Sequence, residues 1–183
     1  MPGIVVDAGP LIALFDRDDR HHRRAIEFVR DCRVPPVTNL PVLTEAAFLL
    51  RFSAAAQRDL LRWAHPALDI DAGTAADLPR IAALLDKYRD LPANLADVSL
   101  VVLAERLRLR RVASVDRDFA VYRLPRRRWF ENVFLRGWCR LTHLVACPRA
   151  ELFQAPAQQQ ATSPCDQKPV PLTTKNLFAR SAP

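Results

Sequence analysis

Residues 3–15 read GIVVDAGPLIALF, and the fold of this 183-residue chain turns on how that stretch is read. Ile4–Val6 is a short apolar run that ends on a carboxylate, Asp7. Gly9 and Pro10 break the strand pattern, and residues 11–15 start an apolar helix. A strand followed by a turn and a helix places Asp7 at the carboxyl end of a strand, where α/β sheets bind ligands. The ordinary alternative is that Asp7 only caps the next helix or makes a turn. The two readings separate on whether other carboxylates return to the same place.

Outward from that stretch, strands and helices alternate. Residues 21–32 carry Ala25, Ile26 and Val29 at helical spacing. His21 and His22 are adjacent, so on a helix they do not face each other and read as solvated surface. Residues 34–38, opened by Pro35 and Pro36, read as a second strand, and residues 40–52 as a helix with Pro41 in its first turn. Within that helix, Glu45 has apolar neighbours on both sides. It is either a solvated side chain or, since carboxylates are rarely buried without a partner, one that faces a metal or a proton-transfer site. A helix over 54–64, a strand over 68–70 and a helix over 72–88 follow, the last with Leu78, Ile81, Ala82, Leu84 and Leu85 expected to face inward. The alternation argues for a mostly parallel sheet with helices on both faces.

Residues 91–107, LPANLADVSLVVLAERL, form the second informative stretch. Pro92 and Asn94 open a helix that is apolar almost all round, which is the pattern of a buried helix. Asp97 in its first turn either complements the helix dipole or is aimed at a cleft. Residues 111–115, RVASV, repeat the opening pattern by delivering Asp116 at a strand end. Asp118 is expected to cap the short helix after it, and residues 129–135 to form a last edge strand.

Beyond Leu135 the composition changes. Three of the four cysteines, a glutamine run and scattered prolines lie there, with no sustained periodicity after about residue 152. The expected organisation is one domain over 1–135 and a largely disordered extension over 136–183. The whole chain carries a net charge of +7, and the first 135 residues hold 21 Lys and Arg against 18 Asp and Glu. Such a surface favours polyanionic partners. The cysteines form neither CxxC nor a Cys/His set, so neither a zinc site nor a disulfide scaffold is indicated. With no basic, apolar leader at Met1 and no run of about 20 apolar residues, a reducing cytoplasm is the expected setting and no membrane partner is expected.

Four acids therefore stand out: Asp7, Glu45, Asp97 and Asp116. Carboxylates gathered in one cleft repel unless cations neutralise them. Hard oxygen donors suit Mg²⁺ or Mn²⁺, which activate water and stabilise charge on a phosphoryl group. The chemistry points to a metal-dependent nuclease or another phosphoryl enzyme.

IVVDAGPLIAL, the Glu45 helix, LADVSLVVLAERL and ASVDRDFAVYR, in that order and spacing, resemble the motifs of the PIN (PilT N-terminal) domain. The likeness is greatest to the VapC-type toxins of toxin–antitoxin pairs and spans residues 3–135. The resemblance implies a three-layer α/β/α fold around a mostly parallel sheet and a Mg²⁺- or Mn²⁺-dependent ribonuclease site. On it, Asp7 and Asp97 carry over as the main metal ligands, and Glu45 and Asp116 as the other two acids. It also implies cleavage of single-stranded RNA by metal-activated water, a cognate antitoxin and a homodimer. Ser114 stands where such proteins often place Thr, and its hydroxyl is expected to position Asp116 or a phosphate. Gly9 departs from the Ser or Thr common two residues after the first Asp, and Asn94 from an often acidic position.

Basic residues would hold the RNA backbone: Arg106, Arg108, Arg110 and Arg111, then Arg117, and the run Arg126, Arg127 and Arg128. Two readings of other classes stay open. One is a module of the same fold that binds RNA or an antitoxin without turnover. The other is a phosphatase or receiver domain, but the former wants an acid where Gly9 stands and the latter a Lys after a late strand, and Lys87, Lys168 and Lys175 are not so placed.

Overall fold

The structure, a computed structural model, describes residues 3–135; the extension expected over 136–183 lies outside the described residues. In chain order the elements are β1 (Ile4–Val6), α1 (Ala8–Phe15), α2 (His22–Asp31), β2 (Val37–Asn39), α3 (Leu40–Leu49), α4 (Ala54–Ala67), β3 (Asp69–Asp71), α5 (Thr74–Lys87), α6 (Leu95–Leu107), β4 (Arg111–Ala113), β5 (Arg123–Leu124), β6 (Arg128–Trp129) and β7 (Glu131–Asn132). Short 3-10 turns cover Leu50–Phe52, Asp118–Ala120 and Pro125–Arg127.

Five strands form one sheet in the order β3-β2-β1-β4-β7, with every pairing parallel. The chain moves outward from β1 through β2 to β3, then returns to the other side of β1 as β4. Crossovers between parallel strands are right-handed, so the reversal puts α1 to α4 on one face and α5 and α6 on the other. The packing agrees: α1 lies against α2, α3 and α4, and α5 lies against α6. The reversal also creates a topological switch point between β1 and β4, whose residues pair Ile4 with Arg111, Val5 with Val112 and Val6 with Ala113. A crevice outside the carboxyl ends of those two strands is where this architecture takes ligands.

Core formation follows the apolar pattern. Ile4, Val5 and Val6 are all buried, as a strand covered on both faces requires. In α6 every residue from 98 to 104 is buried, so the helix runs through the interior rather than over it. Asn94 caps its start and Arg108, in the left-handed conformation at φ 55°, ends it.

Several boundaries differ from the expectation. Helix α1 starts at Ala8 and contains Gly9 and Pro10, because first-turn N–H groups have no intrahelical partner and a proline there loses nothing. Strand β2 begins after Pro35 and Pro36, which lack the N–H a ladder needs. Leu78 and Ala82 of α5 are exposed, and only Ile81 and Leu84 of that helix are buried, so the inward face is narrower than its spacing suggests. The expected edge strand over 129–135 is instead two pieces. Arg128–Trp129 pairs antiparallel with β5 in a small hairpin, and Glu131–Asn132 joins the sheet beside β4.

Candidate active site

Asp7 follows β1 directly and is buried at 5% exposure. Its Oδ1 accepts the Ala8 N–H at 2.7 Å, which caps α1. Its Oδ2 accepts the Ser114 hydroxyl at 2.7 Å, across the switch point from the end of β4. The cap reading of Asp7 is thus met without displacing the site reading, and the cap helps to fix where the carboxylate points.

Glu45 arrives from α3 and Asp97 from α6, the two helices that meet beyond β2. Asn39, buried at the end of β2, ties them together: its Oδ1 accepts the Val42 N–H and caps α3, while its Nδ2 donates to Ser99 Oγ at 3.0 Å. Asn94 makes the second tie. It forms a capping box with Asp97, whose Oδ2 accepts the Asn94 N–H at 3.2 Å, and its Nδ2 donates to Glu45 Oε1 at 3.0 Å. One carboxylate oxygen each from Asp7, Glu45 and Asp97 lies within 4.8 Å of the other two.

Among the described residues, none of these three acids forms an ion pair with Lys, Arg or His. Their protons are held accordingly. Burial raises the Asp7 carboxyl from 3.8 to about 6, against the Ser114 and Ala8 hydrogen bonds that favour its ionised form, and the charges of Glu45 and Asp116 raise it further. Burial also raises Asp97 to about 6, with the nearby charges of Asp7, Asp116 and Asp118 adding to it. Glu45 is raised by burial first and by Asp97 second. A divalent cation among these oxygens would reverse the balance. Mg²⁺ binds oxygens at about 2.1 Å, so opposite ligands stand about 4.2 Å apart, close to the spread of this trio. The donor set and the absence of an internal counter-cation fit Mg²⁺ or Mn²⁺.

Asp116, the fourth acid expected as a ligand, stands outside that trio. It is exposed, and its Oδ1 accepts the Asp118 N–H at 2.9 Å in an Asx turn. The capping role expected of Asp118 therefore falls to Asp116. Asp118 is half-buried and close enough for its charge to act on Asp97. Ser114 takes the first of the two roles expected of it: it is 0% exposed, donates to Asp7 and accepts the Asp116 N–H at 2.9 Å, and so orients both acids.

The arginines divide in two. Arg106 binds Asp71 at 2.6 Å and Asp77 at 3.3 Å, about 14 Å along α6 from Asp97. Arg108 ends that helix, and Arg111 opens β4 opposite Glu131 at 3.7 Å, at the strand end away from Asp116. A helix spanning the domain carries these residues away from the acids, so Arg106, Arg108, Arg110 and Arg111 do not front them. Arg117 is exposed and follows Asp116; Arg126 and Arg128 are exposed on the β5–β6 hairpin, with Arg127 in its turn.

Sequence reasoning missed Asn39, Thr38 and Asn132, which brace the frame around the acids. Asn39 before Leu40 and Pro41 is a legible helix-start signal, but not its bond to Ser99. Thr38 donates to the Val6 carbonyl at 3.1 Å, and Asn132 Nδ2 to the Ser114 carbonyl at 2.9 Å, pairings that no local pattern announces. Gly9 also has a packing reason: a Cβ there would stand 2.2 Å from Val115 Cγ2.

No helix among the described residues is long and apolar enough to cross a membrane. The pattern of the PIN domain matches residues 4–124. Ribonuclease VapC26 of Mycobacterium tuberculosis is 29% identical over 117 residues, which are 62% of this chain and 87% of that protein. The crystal structure of VapC20 from the same organism, a sarcin-ricin loop cleaving toxin, superposes with a TM-score of 0.60 at 20% identity, covering 64% of this chain and 93% of that one; at that identity the likeness concerns the fold. The parallel sheet with its switch point, the acids converging there and a match across about 66% of the sequence place this chain in the PIN domain family.

Proposed function

We propose that this chain is a metal-dependent endoribonuclease, the toxin of a type II toxin–antitoxin pair, which cleaves single-stranded RNA in the cytoplasm. The observation that carries the reading is the meeting of Asp7, Glu45 and Asp97 at the switch point with no cation among the described residues paired with them. The 29% identity to a protein named as a ribonuclease supports it. A cognate antitoxin and a homodimer belong to the same proposal, by likeness to a protein named as a toxin.

Asp7, Glu45 and Asp97 would hold Mg²⁺ or Mn²⁺, with Asp116 at the margin through its second oxygen. The bound ion would lower the pKa of a water and stabilise charge on the scissile phosphate. The chain's own part is positional and acid–base. Ser114 and the Ala8 N–H fix Asp7, and the Asn94 capping box fixes Asp97. Glu45 keeps Oε2 clear of Asn94 and, with its proton affinity raised, is suited to accept the proton of the attacking water.

The test is cleavage of a mixed single-stranded RNA pool by the full chain with Mg²⁺, with Mn²⁺ and with EDTA, beside Asp7→Asn and Asp97→Asn. Cleavage that needs metal and vanishes in both variants is expected. RNA binding without cleavage under every metal condition, unchanged in the variants, would replace the enzyme with a binding module of the same fold.

A further inference from the structure

We infer that the β5–β6 hairpin is a nucleobase-stacking clamp: Trp129 takes a base of single-stranded RNA on its open face, and Arg126 and Arg128 hold the adjoining phosphates. The inference rests on the ribonuclease reading and names where its substrate is gripped.

Trp129 is a large aromatic side chain with 56% of its surface exposed, on a two-residue strand whose neighbours Leu124 and Phe130 are buried. One side of its ring is already occupied. Arg123, its cross-strand partner, sets its guanidinium carbon 3.0 Å from the ring centroid. That guanidinium is not free to swing away, because its Nη1 donates to the carbonyls of Ala120, Val121 and Tyr122. The result is half of a sandwich: an indole backed by an immobilised cation, its remaining exposure left for a second planar group. Bases stack on such platforms whatever their identity, and the cation adds to the attraction.

The charge around the ring points to a polyanion. Arg123, Arg126 and Arg128 form no ion pair with another described residue. Arg80, Arg106 and Arg111 each have an acid beside them. Arg126 also sits at φ 62°, ψ 30°, in the hairpin turn, a conformation that Gly or Asn takes with little strain and Arg does not.

The hairpin is also within reach of the acids. Arg123 follows Asp116 by seven residues, three of them in the 3-10 turn Asp118–Ala120, so the two are no more than roughly 20 Å apart. The intervening Tyr122 is buried against Tyr88 and Phe119 and feels the charges of Asp97, Asp118 and Asp116. A strand lying across the acids can therefore reach the hairpin within a few nucleotides. An open stacking face requires an unstacked base, which selects single strands over duplexes. An acidic protein could engage the same arginines and indole, and competition by single-stranded against duplex RNA separates the two occupants.

The experiment is fluorescence anisotropy of a labelled 12-nucleotide single-stranded RNA of mixed sequence with the full chain in EDTA, where it would not be cut. Trp129→Ala is expected to weaken binding about tenfold, and Trp129→Phe much less. Arg126→Gly is expected to weaken binding and lower the slope of log K against log salt by about 0.7, while raising the thermal midpoint. In Mg²⁺, Trp129→Ala should raise KM and leave kcat near the wild-type value. Wild-type affinity in Trp129→Ala, or competition by duplex RNA as strong as by single strand, overturns the clamp and leaves the hairpin to an acidic protein. Metal-dependent cleavage with an unmoved KM defeats the clamp alone; a wild-type chain that neither binds nor cuts single-stranded RNA defeats the ribonuclease reading with it.

Discussion

The two ends of α6 hold the same side-chain chemistry in opposite states. At its carboxyl end, Arg106 lies between Asp71 and Asp77, and Arg80 grips Glu105 with two hydrogen bonds of 3.0 and 3.1 Å. Each acid there has a guanidinium for its negative charge, and the cations also complement the helix dipole. At the amino end, Asp97 meets Asp7 and Glu45 with no cation among the described residues, and burial and mutual repulsion raise all three carboxyls. One end closes its electrostatics within the chain, while the other leaves them open to an ion from outside. A structural carboxylate and a site carboxylate are thus told apart by the partner the fold denies, not by residue type.

The strongest way to break this contrast is to remove charge at the open end. Asp7→Asn and Asp97→Asn should each lower metal-dependent RNA cleavage by more than about 100-fold, since even residues that only orient ligands cost about 10- to 100-fold. In EDTA at pH 7.5 Asp97→Asn should raise the thermal midpoint, because Asn can still cap α6 while the repulsion is gone. An unchanged rate in either variant would remove that acid from the site.

Next in size is Ser114→Ala. It leaves Oδ2 of Asp7 without a donor and the Asp116 N–H without an acceptor, so metal affinity measured by calorimetry should fall about 10- to 100-fold. Affinity equal to wild type would mean that the Ala8 cap alone holds Asp7.

A pH series sharpens the contrast further. Asp7 and Asp97 have folded values of about 6 against 3.8 for the ordinary carboxyl, so the native state holds extra protons between these values. Their contribution to the stability of the metal-free chain is present below about pH 4 and is lost as pH rises through 6, on the order of 3 kcal/mol for the buried Asp7 and less for Asp97, which solvent screens. Mg²⁺ or Mn²⁺ should therefore raise the thermal midpoint by several degrees at pH 7.5 and by little at pH 5, where protons compete for the same oxygens. An equal shift at both values would place the ion elsewhere.

The smallest effect belongs to the closed end. Asp77→Asn removes one of the two acids beside Arg106 at a partly exposed site, and a loss of under about 1 kcal/mol by urea unfolding is expected, with RNA cleavage unchanged. A change in cleavage would show that the two ends are coupled through α6.

Much of this was legible before any coordinates. The apolar run 4–6 ending on Asp7, the all-round apolar helix carrying Asp97 and the run ending on Asp116 specify a parallel sheet, because burial on both faces and along a whole helix is written in local composition. The acids as candidates came from the same patterns, since a carboxylate in an apolar stretch is conspicuous. What chain pattern did not contain was which groups touch. That Asp7, Glu45 and Asp97 converge while Asp116 turns to Asp118 depends on the reversal of strand order at β1 and on where α3 meets α6. That Arg106 serves Asp71 and Asp77, although it lies in the same helix as Asp97, follows from the length of that helix. Ser114, Asn39 and Asn132 matter through single hydrogen bonds across the sheet or between helices, two of them spanning 60 residues or more. Periodicity records how each residue is buried; only the tertiary structure decides its partner, because partners are brought together by chain reversal and packing between segments distant in sequence.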